Sequence, residues 1–186
     1  RNCFLVLDRT TVSPKGLGGL RSLDNLMLLS VQGIKLEDED LQQIEGIVSL
    51  RLLRLNNAGL NDRSLRHIIR LPKLVMLYVS NNRLGDESVE YIRGLKQLRA
   101  LQMSNTQVTD TGANFLLELR ELEYLGLRGT TVSDKSVPVF QKLQKLKFLN
   151  LADTQVSRDG VREIEEKLPK CYITQEQRPK LGEEGF

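Results

Sequence analysis

The sequence predicts an α/β solenoid, a single stacked array in which one layer is a parallel β-sheet and the other a row of short helices. Three observations predict it. Leucine recurs every 24 residues without insertion or deletion, at Leu5, Leu29, Leu53, Leu77, Leu101, Leu125 and Leu149. Beside each of these, apolar residues stand two apart, the spacing of a strand that buries one face. Later in each repeat the apolar spacing widens to three, which suits a short helix laying one stripe on a core. One strand and one helix cannot bury both their faces alone, so neighbouring repeats must stack into a continuous interior.

Each element follows from this register. The strand carries the leucine column together with the position two residues later, Leu7, Val31, Leu55, Val79, Met103, Leu127 and Leu151. Three residues before the leucine stand Leu26, Leu50, Leu74, Leu98, Leu122 and Leu146, with Asn2 in the first repeat. Each repeat therefore reads L-x-x-L-x-L. The loop leaving the strand passes through Thr10, Ile34, Ala58, Asn82, Thr106, Thr130 and Thr154, so a hydrogen-bonding ladder there must be mixed and interrupted. Val12, Leu36, Leu60, Leu84, Val108, Val132 and Val156 then turn inward beneath that loop. The helix stripe comprises Leu17, Leu41, Leu65, Val89, Ala113, Val137 and Val161, and, three on, Leu20, Ile44, Ile68, Ile92, Leu116, Phe140 and Ile164. Between strand and helix lie Asp38, Asp62, Asp86, Asp110 and Asp134, expected to cap the helix N-termini by accepting free N–H groups.

On these columns, and on stretches such as LQMSNTQVTDTG, LGLRGTTVSDKS and LNLADTQVSRDG with LPKCYI at the close, residues 1–174 resemble the leucine-rich repeat family. The likeness is to its bacterial, planctomycete-like variety. It implies a right-handed α/β superhelix, the parallel sheet on the concave face and short helices on the convex face. It also implies a role as an interaction scaffold, although a fold alone never fixes a ligand.

The expected organisation is seven 24-residue repeats plus a closing strand around Leu168, Cys171 and Ile173, together residues 1–174, followed by a polar tail over 175–186. At the other end the first strand begins almost with the chain and leaves an unpaired edge, from which further sequence upstream is expected. Cys3 and Cys171 stand about six strand spacings apart, roughly 30 Å, far beyond the ~7 Å of bridged Cα atoms, so they do not bridge within one molecule. No apolar run approaches the roughly 18 residues of a membrane-spanning helix. With 27 basic against 24 acidic residues in 186, the net charge of +3 names no partner.

Catalysis has little raw material: one histidine, two cysteines and no tryptophan. No catalytic set, metal site or cofactor is expected, and His67 reads as an exposed residue of a convex helix. Chemistry instead points to the residues alternating with the buried leucines, which face the concave surface. Immediately before the leucine column stand Phe4, Leu28, Leu52, Met76, Ala100, Tyr124 and Phe148, all apolar or aromatic. A solvated face would be mixed, and an apolar strip of roughly 30 Å exceeds what a monomer normally leaves wet. The next outward column is Val6, Ser30, Arg54, Tyr78, Gln102, Gly126 and Asn150, and the next Asp8, Gln32, Asn56, Ser80, Ser104, Arg128 and Ala152. Aromatic anchors beside arginines and amides compose a protein-binding surface.

The expected function is a non-catalytic scaffold holding a protein or peptide on the concave face, through Phe4, Leu28, Leu52, Met76, Tyr78, Tyr124, Arg54, Arg128 and Phe148. Two other accounts of the strip are that its side chains fold against the adjoining loops, or that upstream sequence covers it. Two other functions stand as alternatives: a regulatory or catalytic repeat protein such as a GTPase-activating module, and a nucleic-acid binder. Arrays of the first kind usually have longer repeats and an acidic tail. For the second, Arg51, Arg99 and Lys147 line an edge beside Arg54 and Arg128, but Glu123 and Asp8 interrupt them, so a solvated rim is expected rather than a phosphate track. Tyr91, Phe115 and Val139 recur at one convex position and read as packing between helices.

Overall fold

The computed structural model describes residues 3–10 and 14–175. The expectations for Asn2, Val12 and the tail from residue 176 onward lie outside the described residues. Eight strands form one parallel sheet in chain order: β1 (Cys3–Val6), β2 (Leu26–Ser30), β3 (Leu52–Arg54), β4 (Met76–Tyr78), β5 (Ala100–Gln102), β6 (Tyr124–Gly126), β7 (Phe148–Asn150) and β8 (Tyr172–Thr174). Strand partners lie 24 residues apart, from Leu28 opposite Leu52 to Asn150 opposite Thr174. The register slips only between Cys3 and Phe4, where Cys3 faces Leu26 and Phe4 faces Leu28. The leucine column is the floor of the core: Leu29, Leu53, Leu77, Leu101, Leu125 and Leu149 are fully buried, while Leu5, at the end of the stack, is half-buried.

The chain leaves each of β1 to β7 through a left-handed residue, and these too recur every 24 positions: Arg9, Gly33, Asn57, Asn81, Asn105, Gly129 and Asp153, with φ from 52° to 70°. Glycine enters this region freely and asparagine or aspartate at small cost, which accounts for six of the seven residues. In the loop column that follows, the threonine hydroxyls close the turn locally, Thr106 donating to Met103, Thr130 to Leu127 and Thr154 to Leu151. Asn82 alone reaches between repeats. Its Oδ1 accepts the Ala58 and Leu60 N–H groups at 3.0 and 3.1 Å, and its Nδ2 donates to the Leu55 carbonyl.

The convex layer holds α1 (Asp38–Ile44), α2 (Asp86–Ile92), α3 (Asp110–Phe115), α4 (Val137–Phe140) and α5 (Arg158–Lys167). The first and third repeats use 3₁₀ turns instead, Pro14–Ser22 in one and Asp62–Arg66 with Ile68–Arg70 in the other. Apolar residues three apart fit this tighter winding, because side chains at i and i+3 eclipse and Leu65 and Ile68 both reach the core. Tyr91 and Phe115 are half-buried against the same core and Val139 is buried within it.

Two expectations are corrected here. The aspartate column does not cap its own helices. The caps are the residues one earlier, Thr109, Ser133 and Ser157 among them, whose hydroxyls accept N–H groups of the following turn. Asp38 pairs with Arg66 and His67 of the next repeat, where Asn61 N–H is met by Ser64 of its own turn. The other four aspartates accept the N–H of the next repeat's cap residue, which has no partner in its own helix. Gly85 N–H donates to Asp62 at 2.6 Å, Thr109 to Asp86 at 2.7 Å, Ser133 to Asp110 at 2.8 Å and Ser157 to Asp134 at 2.8 Å. Room for the carboxylate comes from a small residue two positions into the next helix: a Cβ on Gly112 or Gly160 would stand 2.4 Å from the oxygen of Asp86 or Asp134. His67 is not exposed but buried, because the two 3₁₀ turns of its repeat fold it against α1. Its Nδ1 meets Glu45 and its Nε2 lies 3.2 Å from Asp38.

The inter-repeat aspartates generate two predictions. Gly112→Ala should destabilise the chain by about 1–3 kcal/mol through overpacking on Asp86, and the penalty should shrink by at least ~1 kcal/mol in an Asp86→Ala background. Urea denaturation of the four proteins measures this; simple additivity contradicts the ladder. For Asp110, burial pushes the carboxyl up, but the hydroxyls of Ser133 and Ser136 and the Ser133 N–H outweigh it and hold it below the usual 3.8. A folded value below the unfolded one contributes stability above pH 3.8 that is lost as the pH falls through the folded value. Asp110→Asn should therefore lose less stability than the parent between pH 6 and pH 3, and an equal loss in both proteins contradicts the assignment.

Candidate functional site

The pleat turns every second strand residue away from the leucine floor, and the shared register lines these residues up across the sheet. The first outward column is an apolar strip of uneven exposure. Phe4 is 63% exposed, Tyr124 45% and Met76 37%, while Leu28, Leu52 and Phe148 are half-buried. Ala100 is buried and too small to stand proud, so it divides the strip. On one side Phe4, Leu28, Leu52 and Met76 surround an open depression of about 270 Å³, walled by Met27, Arg51 and Val75. On the other side Tyr124 and Phe148 continue into Tyr172, which is 66% exposed and stacks on Phe148 with ring centroids 5.8 Å apart. Sequence reasoning missed Tyr172. One more step of 24 from Phe148 reaches it, and the pairing of β7 with β8 confirms the position.

In the second column Arg54 and Tyr78 are both half-buried, the guanidinium lying 5.3 Å from the ring centroid in a cation–π contact. Gly126 leaves the space that the Gln102 amide fills: a Cβ there would fall 1.7 Å from Gln102 Oε1. The third column is a hydrogen-bonded ladder. The Ser30 hydroxyl, Gln32 N–H and Gln32 amide all donate to Asp8, the Asn56 amide donates to Gln32 at 2.6 Å, and the Ser80 N–H donates to Asn56 at 2.7 Å. Burial pushes the Asp8 carboxyl up, but these donors, aided by the nearby Arg54 charge, hold it below its ordinary range. Arg128, at the far end of the column, is paired with Asp153 at 2.8 Å.

The basic rim is partly neutralised from within. Buried Glu123 accepts from Arg99 on one side and from Lys147, at 2.5 Å, on the other, and these two hydrogen bonds hold its carboxyl below the usual value. Arg51 is exposed at the wall of the apolar depression. Of the residues expected to meet a partner, the fold thus brings Phe4, Leu28, Leu52 and Met76 together with Arg54 and Tyr78 at one end of the sheet. Tyr124, Phe148 and Arg128 stand at the other end. Among the described residues no group of three or more His, Cys, Asp or Glu side chains is placed to hold a metal ion. No helix of the described residues is long and apolar enough to cross a membrane.

No family model and no curated protein matches the chain by sequence. Solved structures do match it in shape. Internalin C2 of Listeria monocytogenes superposes with a TM-score of 0.70 at 24% identity, over 91% of this chain and 69% of that one. A second Listeria monocytogenes internalin, inlF, gives 0.62 at 16% identity over 95% of this chain, and a leucine-rich-repeat protein of Leptospira interrogans gives 0.59 at 21% identity over 89%. The chain spans 54% and 40% of the length of these last two. The 24-residue register, the ladder of eight parallel strands and these neighbours together show that the chain has the leucine-rich-repeat fold, an open α/β solenoid with its sheet on the concave face and its helices on the convex face.

Proposed function

We propose that the chain is a non-catalytic scaffold that binds a protein or peptide on its concave face. The observation that carries this reading is the outward apolar column. Phe4, Leu28, Leu52, Met76, Tyr124 and Phe148 stand on a sheet whose other face is already a complete core, and none of the six is buried. Their burial is not needed to fold the chain, and a partner that covered them would remove apolar surface from water at about 25 cal/mol per Å². The sheet holds them at fixed spacing, so little conformational entropy opposes association. A scaffold of the leucine-rich-repeat kind is usually an interaction module, which agrees with this reading. The nucleic-acid alternative is weakened by Glu123 and Asp153, which neutralise Arg99, Lys147 and Arg128 along the same surface. No arrangement of side chains among the described residues favours the GTPase-activating alternative.

Panning a random peptide display library on the purified chain tests the proposal. Enriched peptides should lose binding by at least about tenfold to a Met76→Ala, Tyr124→Ala variant, since truncating an interface anchor costs more than about 1.4 kcal/mol. The variant's melting temperature should stay within about 2 °C of the parent, because both side chains lie outside the core. Peptides that bind parent and variant equally would refute the concave face as the docking surface.

A further inference from the structure

We infer that the β1–β4 half of the concave face accepts an acidic peptide segment that seats one aliphatic or aromatic side chain between two carboxylates; this rests on the binding role proposed above and names its partner. The apolar depression over Leu28, Leu52 and Met76 holds about 270 Å³. That is just below the roughly 300–1,000 Å³ of sites for drug-sized ligands, room for a single side chain. A cation stands on either side of it along β3: Arg51 lines its wall, and Arg54 is the next outward residue after Leu52. Arg51 precedes Leu52 and Arg54 follows it two residues later, so their Cα atoms stand roughly 10 Å apart, three residues of extended chain. A peptide crossing the seat would match them with an acidic residue on either side of its anchor.

The charge at this end of the sheet is uncommitted. Among the described residues neither Arg51 nor Arg54 enters an ion pair. Asp8 is close enough to feel Arg54, yet its oxygens are taken up by Ser30 and Gln32. Stacking on Tyr78 occupies the face of the Arg54 guanidinium and leaves its in-plane N–H edge able to fork onto a carboxylate. At the opposite end the cations are spent internally, Arg99 and Lys147 on Glu123 and Arg128 on Asp153. Among the described residues of the outward strand columns and their rim, arginines free of an ion pair adjoin the apolar strip at the Leu52 seat. Charge complementarity there selects an acidic partner, speeds its encounter and fixes its register.

The composition and behaviour of the panned peptides decide the matter. The expected result is enrichment of an aliphatic or aromatic residue with an acidic residue on either side. Arg51→Gln and Arg54→Gln should each weaken the labelled peptide about tenfold in fluorescence anisotropy, while Arg162→Gln on α5 leaves it unchanged. Raising the salt from 0.05 to 0.5 M should weaken it as well. Uncharged or basic peptides, or acidic ones indifferent to both arginine substitutions yet lost with Met76→Ala and Tyr124→Ala, overturn the inference and leave the binding role intact. Peptides that bind that double variant as well as the parent overturn both. Displacement by a single-stranded oligonucleotide overturns it in favour of a polyanion site. A chain that sediments as a dimer and becomes monomeric with Met76→Ala overturns it in favour of a second copy.

Discussion

The 24-residue register of parallel strand pairing is the constraint from which the other features of this chain derive. Once Leu53 faces Leu77 and Leu77 faces Leu101, every other position of the repeat is matched with its counterpart one unit away. A single slip would carry the outward residues into the core and the leucines into water. The same translation puts a left-handed residue at the exit of each of β1 to β7, an aspartate beside each following cap residue from Asp62 to Asp134, and one apolar side chain after another along the open face. Local backbone geometry, inter-repeat hydrogen bonds and the candidate binding surface are thus three consequences of one spacing.

Polar groups in this array serve mainly to close the seams between repeats. The aspartate ladder on the convex side and the Asp8–Gln32–Asn56 ladder on the concave side each satisfy donors of a neighbouring unit, which a lone repeat would leave to water. Glu123 does the same for Arg99 and Lys147. Because these contacts consume most of the charge in the sheet's C-terminal half, the two halves of one continuous surface differ in character. One carries Tyr124, Phe148 and Tyr172 and is internally neutralised; the other sets Leu28, Leu52 and Met76 beside Phe4 and Tyr78, with arginines at its edges.

Much of this was legible in the sequence because a translational repeat exposes burial directly: seven leucines in step define seven strands, and alternation then lists the outward residues. The aspartates were visible but misread, since a carboxylate at a helix start looks the same whether it serves its own helix or the next repeat. Only the stacked geometry distinguishes the two. The clue lay in Gly112 and Gly160, small residues at helix positions that gain nothing from glycine unless a neighbour intrudes. His67 was misplaced for a related reason, because 3₁₀ winding rotates it inward where an α-helix was expected. The neutralisation of Arg99, Lys147 and Arg128 depends on side-chain reach between repeats, which one-dimensional spacing does not encode.

The three methionines offer the most direct measurement of the docking account. Met76 lies on the proposed seat, Met27 lines its wall, and Met103 is fully buried beneath the sheet. In a methyl-labelled NMR titration with an enriched peptide, the account predicts that the Met76 and Met27 methyl resonances move with the binding curve while that of Met103 stays in place. Saturable binding that leaves Met76 and Met27 unmoved would contradict it.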